Sequence, residues 1–214
     1  MRADLTDLTL VIDRSGSMAS CRSDAEGGVN EFIRKQKELP GDCIFSLVQF
    51  DDKYEFVHKA QAIRFVEPSY HLEPRGWTAL LDAVGRSIVE AGTRLKAIDE
   101  SQRPGLVVFV IVTDGQENSS REFTKAKVKE MIEHQQSAYK WQFTYLGANQ
   151  DAFTEAGQIG IKFDAIANYS AEKTSGGILA ANANVTRMRH AAATGQAVLN
   201  EYHEEERKAI VHTK

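Results

Sequence analysis

The chain has 214 residues, 42% hydrophobic and 26% charged, which is ordinary globular usage and argues against disordered, collagen-like and coiled-coil classes. Its 26 Lys and Arg against 30 Asp and Glu leave a net charge of −4, so it lacks the electrostatic footprint of a nucleic-acid or anionic-lipid binder. The longest apolar run, Leu106 to Val112, is seven residues where a membrane-spanning helix needs about 20; neither nucleic acid nor a membrane is expected as a partner.

Length favours one domain. The division expected is a site-bearing part over 1–170 and a C-terminal helical segment over 171–214 whose first half packs on it. Met1-Arg2-Ala3-Asp4 leads straight into a strand-like segment without an apolar signal core, so a cytoplasmic location is expected. Cys21 and Cys43 are expected as free thiols, because a helix of about a dozen residues, roughly 18 Å of rise, lies between them.

In chain order, Leu8 to Ile12 reads as a buried strand ending at Asp13. A polar, Gly-containing stretch follows, and Val29, Phe32, Ile33 and Gln36 then mark one helical face. Cys43 to Phe50 is a second strand, with Lys53 to Val57 returning as a short antiparallel edge after Asp51-Asp52. From Thr78 onward Leu80, Leu81, Val84, Ile88, Ala91 and Leu95 recur at helical spacing. Leu106 to Val112 is apolar on both faces, as a central parallel strand should be, and ends at Thr113-Asp114-Gly115. A helix begins near Thr124, and Trp141 to Leu146 is the next strand. Asp151 then caps a short helix, and Ile161 to Ile166 is a last edge strand. From Thr174 the pattern is helical, with Ile178, Ala181, Val185, Met188, Ala192, Gly195, Leu199 and Tyr202 on one stripe; Ile178 to Met188 are expected to dock on the domain, whereas Gln196 to Lys214 are expected to project. Strands alternating with helices predict an α/β fold, a doubly wound, mostly parallel sheet with helices on both faces.

In such sheets ligands bind beyond the carboxyl ends of strands where the strand order reverses. That rule singles out the loops after Asp13 and Asp114. Asp13-Arg14-Ser15-Gly16-Ser17 puts a carboxylate and two hydroxyls on alternate residues. Oxygen-only donors suit a hard cation such as Mg²⁺, which takes about six. Asp114 can add a second carboxylate and Thr78 a third hydroxyl. Two acids neutralise a divalent cation, and a position remains for water or an incoming carboxylate. Around this set, Glu117 to Ser120 are read as partner contacts or as plain loop polarity, Asp51 and Asp52 as groups that support the site or touch a partner or, in preference, as a solvated turn, and Asp82 as a helix N-terminal charge. The six histidines show no metal-ligand spacing.

The constellation Asp13-x-Ser15-x-Ser17, Thr78 in Gly76-Trp77-Thr78-Ala79-Leu80, and Thr113-Asp114-Gly115 resembles the von Willebrand factor A domain family with its metal-ion-dependent adhesion site, and the matching elements run from about Leu5 to Ile166. The resemblance implies a Rossmann-like fold and a metal set of Asp13, Ser15, Ser17, Thr78 and Asp114. Ser15, Ser17 and Thr78 would touch the ion, and the two acids would act directly or through water. Mg²⁺ is the expected ion, with Mn²⁺ or Ca²⁺ as alternatives. The implied function is a metal-dependent protein-binding module without enzymatic activity. Its partner would be a protein presenting Asp or Glu, such as an ATP-driven remodelling machine. The competing readings are a Mg²⁺-dependent phosphoryl-transfer or hydrolytic enzyme and a homo-oligomer assembling through the same site. Against the first, the chain has no P-loop, and Ser15 stands where a phosphoaspartate mechanism usually wants a second acid.

Overall fold

The computed structural model describes residues 1–148 and 151–211. Within them lie the strands β1 (Arg2–Asp13), β2 (Asp42–Phe50), β3 (Tyr54–Ala62), β4 (Pro104–Thr113), β5 (Gln142–Gly147) and β6 (Ile166–Asn168), and the helices α1 (Arg22–Glu38), α2 (Leu80–Lys96), α3 (Lys125–Tyr139), α4 (Ala152–Gln158), α5 (Thr174–Ala193) and α6 (Glu204–Ala209). The sheet order is β3-β2-β1-β4-β5-β6; all pairs are parallel except β2 with β3. The chain runs outward from β1 to β2 and β3, then crosses to β4 on the other side of β1. The order therefore reverses between β1 and β4, which opens a crevice beyond their carboxyl ends.

Side-chain alternation along β1 divides the core into two layers. Leu8, Leu10 and Ile12 join Val29, Phe32 and Ile33 of α1 and Ile178, Val185 and Met188 of α5 on one face. Val11 joins Phe109 and Ile111 of β4, Val84 and Ile88 of α2, and Val128 and Ile132 of α3 on the other. Asp13 shares the parity of Val11, and Thr113 that of Ile111, so both emerge on the α2 side. Cys21 and Cys43 are buried free thiols. Among the described residues no helix is long and apolar enough to cross a membrane.

Three local expectations change. β3 runs nine residues, well past Val57, because a bulge at Ala60, whose φ is +48°, restores the pairing while its N–H donates to Ser46 Oγ at 3.0 Å. The last strand is Ile166–Asn168, since Phe163–Ala165 form a 3₁₀ turn where extended chain was expected. The segment after Gln196 does not project. Tyr202 and Ile210 are 5% and 3% exposed, and the Tyr202 and Thr144 hydroxyls lie 3.1 Å apart. Asn200 Nδ2 donates to Phe143 O at 2.9 Å, Arg187 holds Glu206 through two bonds of 2.6 and 3.0 Å, and Arg207 donates to the carbonyls of Ile166 and Asp164. Two members of the charge run, Glu206 and Arg207, thus stitch the tail to α5 and to the sheet edge respectively. His212 to Lys214 lie outside the described residues.

Candidate metal centre

Three loops meet in the crevice. The first leaves β1 at Asp13, which is fully buried. Its Oδ1 accepts from Ser15 N and its Oδ2 from Thr113 Oγ1, both at 2.6 Å. The Ser15 and Ser17 hydroxyls are 3.0 Å apart, and Ser17 Oγ donates to Asp114 Oδ1 at 2.7 Å. Four of the five residues expected to hold the metal are therefore joined by one string of hydrogen bonds. The fifth, Thr78, is buried and faces the same opening. A carbon at the Cβ position of Gly115 would sit 2.8 Å from Thr78 Oγ1, 3.4 Å from Ser17 Oγ and 3.5 Å from Asp13 Oδ2. Only glycine leaves that space free.

The second loop, Arg75 to Ala79, is pinned on both sides by backbone. Arg75 N donates to Arg14 O at 2.8 Å, Gly16 N to Gly76 O at 3.3 Å, and Ala79 N to Asp51 O at 2.9 Å. Gly76 has φ +69°, the left-handed conformation that turns Thr78 inward. Trp77, between them, stands 69% exposed.

The third loop, after Asp114, caps α2. Asn118 Oδ1 accepts from Thr78 N, Glu117 Oε2 from Leu81 N, and Ser120 Oγ from Asp82 N, at 2.9, 2.9 and 3.0 Å; the last two satisfy free N–H groups in the first turn of α2. In return Asp82 accepts from the N–H groups of Arg121, Glu122 and Phe123 at 2.8–2.9 Å. Glu117, Asn118 and Ser120, read from the sequence as partner contacts, are committed to this latch. Asp82 is more than a dipole charge, because it holds the loop that carries Asp114 and Gly115.

Burial pushes the Asp13 carboxyl up to about 6, against the pull of the Thr113 and Ser15 hydrogen bonds, with the Asp114 charge adding to the rise. Asp114 is also raised, chiefly by burial and against the Ser17 hydroxyl. Two acids that resist ionising beside three hydroxyls form a donor set that a divalent cation completes, since its charge offsets both the desolvation and the mutual repulsion. The set fits a hard ion such as Mg²⁺. Among the described residues no group of three or more His, Cys, Asp or Glu side chains could hold a metal, so any cation here depends on the hydroxyls.

No protein-family model matches the chain, and no curated protein matches it. Solved structures do. A von Willebrand factor type A protein from Catenulispora acidiphila superposes with a TM-score of 0.60 at 15% identity, over 88% of this chain and 42% of that one. The chain has the von Willebrand factor A fold. Proximal thread matrix protein 1 from the mussel byssus, with a zinc-occupied MIDAS motif, gives a TM-score of 0.57 at 17% identity over 87% of this chain and 46% of that one. The manganese-loaded TRAP protein of Plasmodium vivax gives 0.55 at 13% identity over 83% and 73%. The chain thus spans less than half the length of the first two.

One residue of the site escapes the sequence reading, and a second is weighed the wrong way. Thr113 was read only as the end of an apolar strand; its signal is a hydroxyl at an inward position of β4 directly before Asp114. Asp51, for which a solvated turn is the preferred reading over a role in supporting the site, is fully buried. Its Oδ2 accepts from Arg14 Nε at 3.0 Å and Arg75 Nε at 2.9 Å. Asp52 beside it is exposed, as a turn residue should be.

Proposed function

We propose that the chain is a metal-dependent protein-binding module in which a Mg²⁺-type cation, held by Asp13, Ser15, Ser17, Thr78 and Asp114, captures an Asp or Glu side chain of a partner protein. The observation that carries this reading is the convergence of Thr78, Ser17 and Asp13 oxygens on the opening kept free by Gly115. When bound, the cation supplies a concentrated positive charge with room for one more anionic oxygen. The chain's own groups do the rest. Asp13 and Asp114 set the charge, Thr113 and the Ser15 N–H orient Asp13, and the latch between Asp82 and the 117–123 loop keeps Asp114 over the opening.

The metal-occupied neighbours, one with zinc and one with manganese, support a divalent ion, and the hydroxyl-rich donor set favours Mg²⁺. With two carboxylates, and no metal-binding group of three or more His, Cys, Asp or Glu among the described residues, the arrangement suits gripping a ligand better than two-metal hydrolysis. We place the chain in a reducing, cytoplasmic setting, which suits two buried, unpaired thiols. Trp77 is the exposed rim group, a rigid anchor of the kind that dominates interfaces.

The test is capture from the native lysate on the immobilised chain, in Mg²⁺ and in chelator, with wild type, Asp13→Ala and Trp77→Ala, alongside sedimentation of the free protein. Retention of a defined protein that needs both Mg²⁺ and Asp13, and that falls about tenfold in Trp77→Ala, supports the proposal. Capture that is equal in chelator and in Asp13→Ala removes it. Chelator-sensitive oligomers would make the partner a second copy, and phosphoester turnover abolished by Asp13→Ala would make the site catalytic.

A further inference from the structure

Beside the metal centre lies a partly buried ionic cluster, with Asp51 and Arg14 inside and Arg75 and Glu55 at the surface, that the donor set itself does not require. Asp51, at the end of β2, is fully buried. Its Oδ2 receives Arg14, the residue between Asp13 and Ser15, and Arg75, three residues before Thr78. Its Oδ1 accepts from Lys53 N at 2.6 Å, and its backbone carbonyl from Ala79 N at 2.9 Å, next to Thr78. Glu55 closes the cluster from outside, 2.8 Å from Arg14 and 3.2 Å from Arg75. Arg14 Nη2 stays buried without a hydrogen-bond partner among the described residues, so the guanidinium is not there because its needs are best met.

A buried cation next to a divalent-ion site is unfavourable for the ion unless it is neutralised and unless its position does something. Two guanidiniums and two carboxylates make the cluster neutral overall. Its position joins two of the three ligand loops: one carboxylate oxygen grips the loop of Ser15 and Ser17 and the loop of Thr78 together.

We infer that Asp51 is a positioning residue for the metal centre, which through Arg14 and Arg75 fixes the Ser15–Ser17 hydroxyls relative to the Thr78 hydroxyl. The inference rests on the metal-binding reading above. Asp51 touches neither cation nor partner. Its effect is to hold in place, before the ion arrives, hydroxyls that sit on separate loops.

The experiment is Mn²⁺ titration of the full chain as wild type, Arg75→Gln, Asp51→Asn and Glu55→Gln, with circular dichroism confirming the fold of each. Arg75 is 46% exposed, so Arg75→Gln is expected to fold. Charge alone predicts that losing this cation tightens Mn²⁺ binding; positioning predicts the opposite sign. The expected result is weakening by about threefold in Arg75→Gln and about tenfold in Asp51→Asn, with Glu55→Gln, which lacks only the outer acid, close to wild type. Arg75→Gln binding Mn²⁺ as tightly as wild type, or more tightly, overturns the inference even if Asp51→Asn fails to fold. A wild type that takes up no Mn²⁺ removes the metal reading and this inference together, whereas unchanged uptake across the variants removes the inference alone.

Discussion

The Thr113 hydroxyl donates to Asp13 Oδ2 at 2.6 Å across the β1–β4 pair, joining residues 100 apart in sequence at the point where the strand order reverses. The bond holds a fully buried carboxylate at the floor of the crevice and fixes which of its oxygens faces the Ser15 loop. Burial there is a cost in the metal-free protein, because a carboxylate is poorly solvated in such a place.

Asp13→Asn in chelator is therefore expected to be more stable than wild type at pH 7.5. The folded Asp13 value of about 6 lies above the ordinary 3.8, so the folded state holds its proton more tightly. The stability from this group is full below about pH 4 and is lost as pH rises through about 6. A shift near two units corresponds to about 1–3 kcal/mol. Urea unfolding from pH 4 to 8 checks it. Wild type should lose stability relative to Asp13→Asn between pH 4 and 6.5, and parallel profiles would contradict the assignment.

Asp82→Ala removes the acceptor for three backbone N–H groups of the 121–123 segment. Hydrogen bonds to a charged acceptor are worth about 1.5–3 kcal/mol each, less where water can replace them. A net loss of about 2–4 kcal/mol is expected in urea unfolding, together with weaker Mn²⁺ binding, because the same loop carries Asp114. Wild-type stability in this variant would show that the latch is incidental.

Truncation after Thr194 is expected to be severely destabilising. It strips Tyr202 and Ile210 from the core and deletes Asn200, the donor to Phe143 O. Losing one buried aromatic and one buried isoleucine already costs about 5 kcal/mol or more. Thermal unfolding of the truncated chain should show a large drop or no cooperative transition; an unchanged midpoint would mean that the tail is dispensable.

What was legible in the sequence was whatever announces itself locally. Leu106 to Val112 could only be a strand covered on both faces, and the hydroxyls of Ser15 and Ser17 sat within four residues of Asp13. Thr78 and Asp114 could be placed at the crevice because each lies at an element's end, where loops converge. What escaped depends on partners distant in sequence. An Asp-Asp pair after a strand reads as a turn, and nothing near Asp51 reveals that Arg14 and Arg75 will neutralise it 37 and 24 residues away. The polar loop after Asp114 reads as a free rim until α2 is placed beneath it, with N–H groups that need acceptors. Tyr202 falls on an apolar stripe, but the charges after it favour a free tail, and its partner Thr144 lies 58 residues upstream.

Whether five oxygens from three loops hold one divalent cation is tested most directly by isothermal titration of wild type, Asp13→Ala and Asp114→Ala with Mg²⁺ and Mn²⁺. The account predicts one site in wild type and binding about a hundredfold weaker or lost in both variants, with their circular dichroism unchanged because the site is a crevice and not a core. Equal metal affinity in all three proteins, or no heat and no bound metal in wild type, would contradict it.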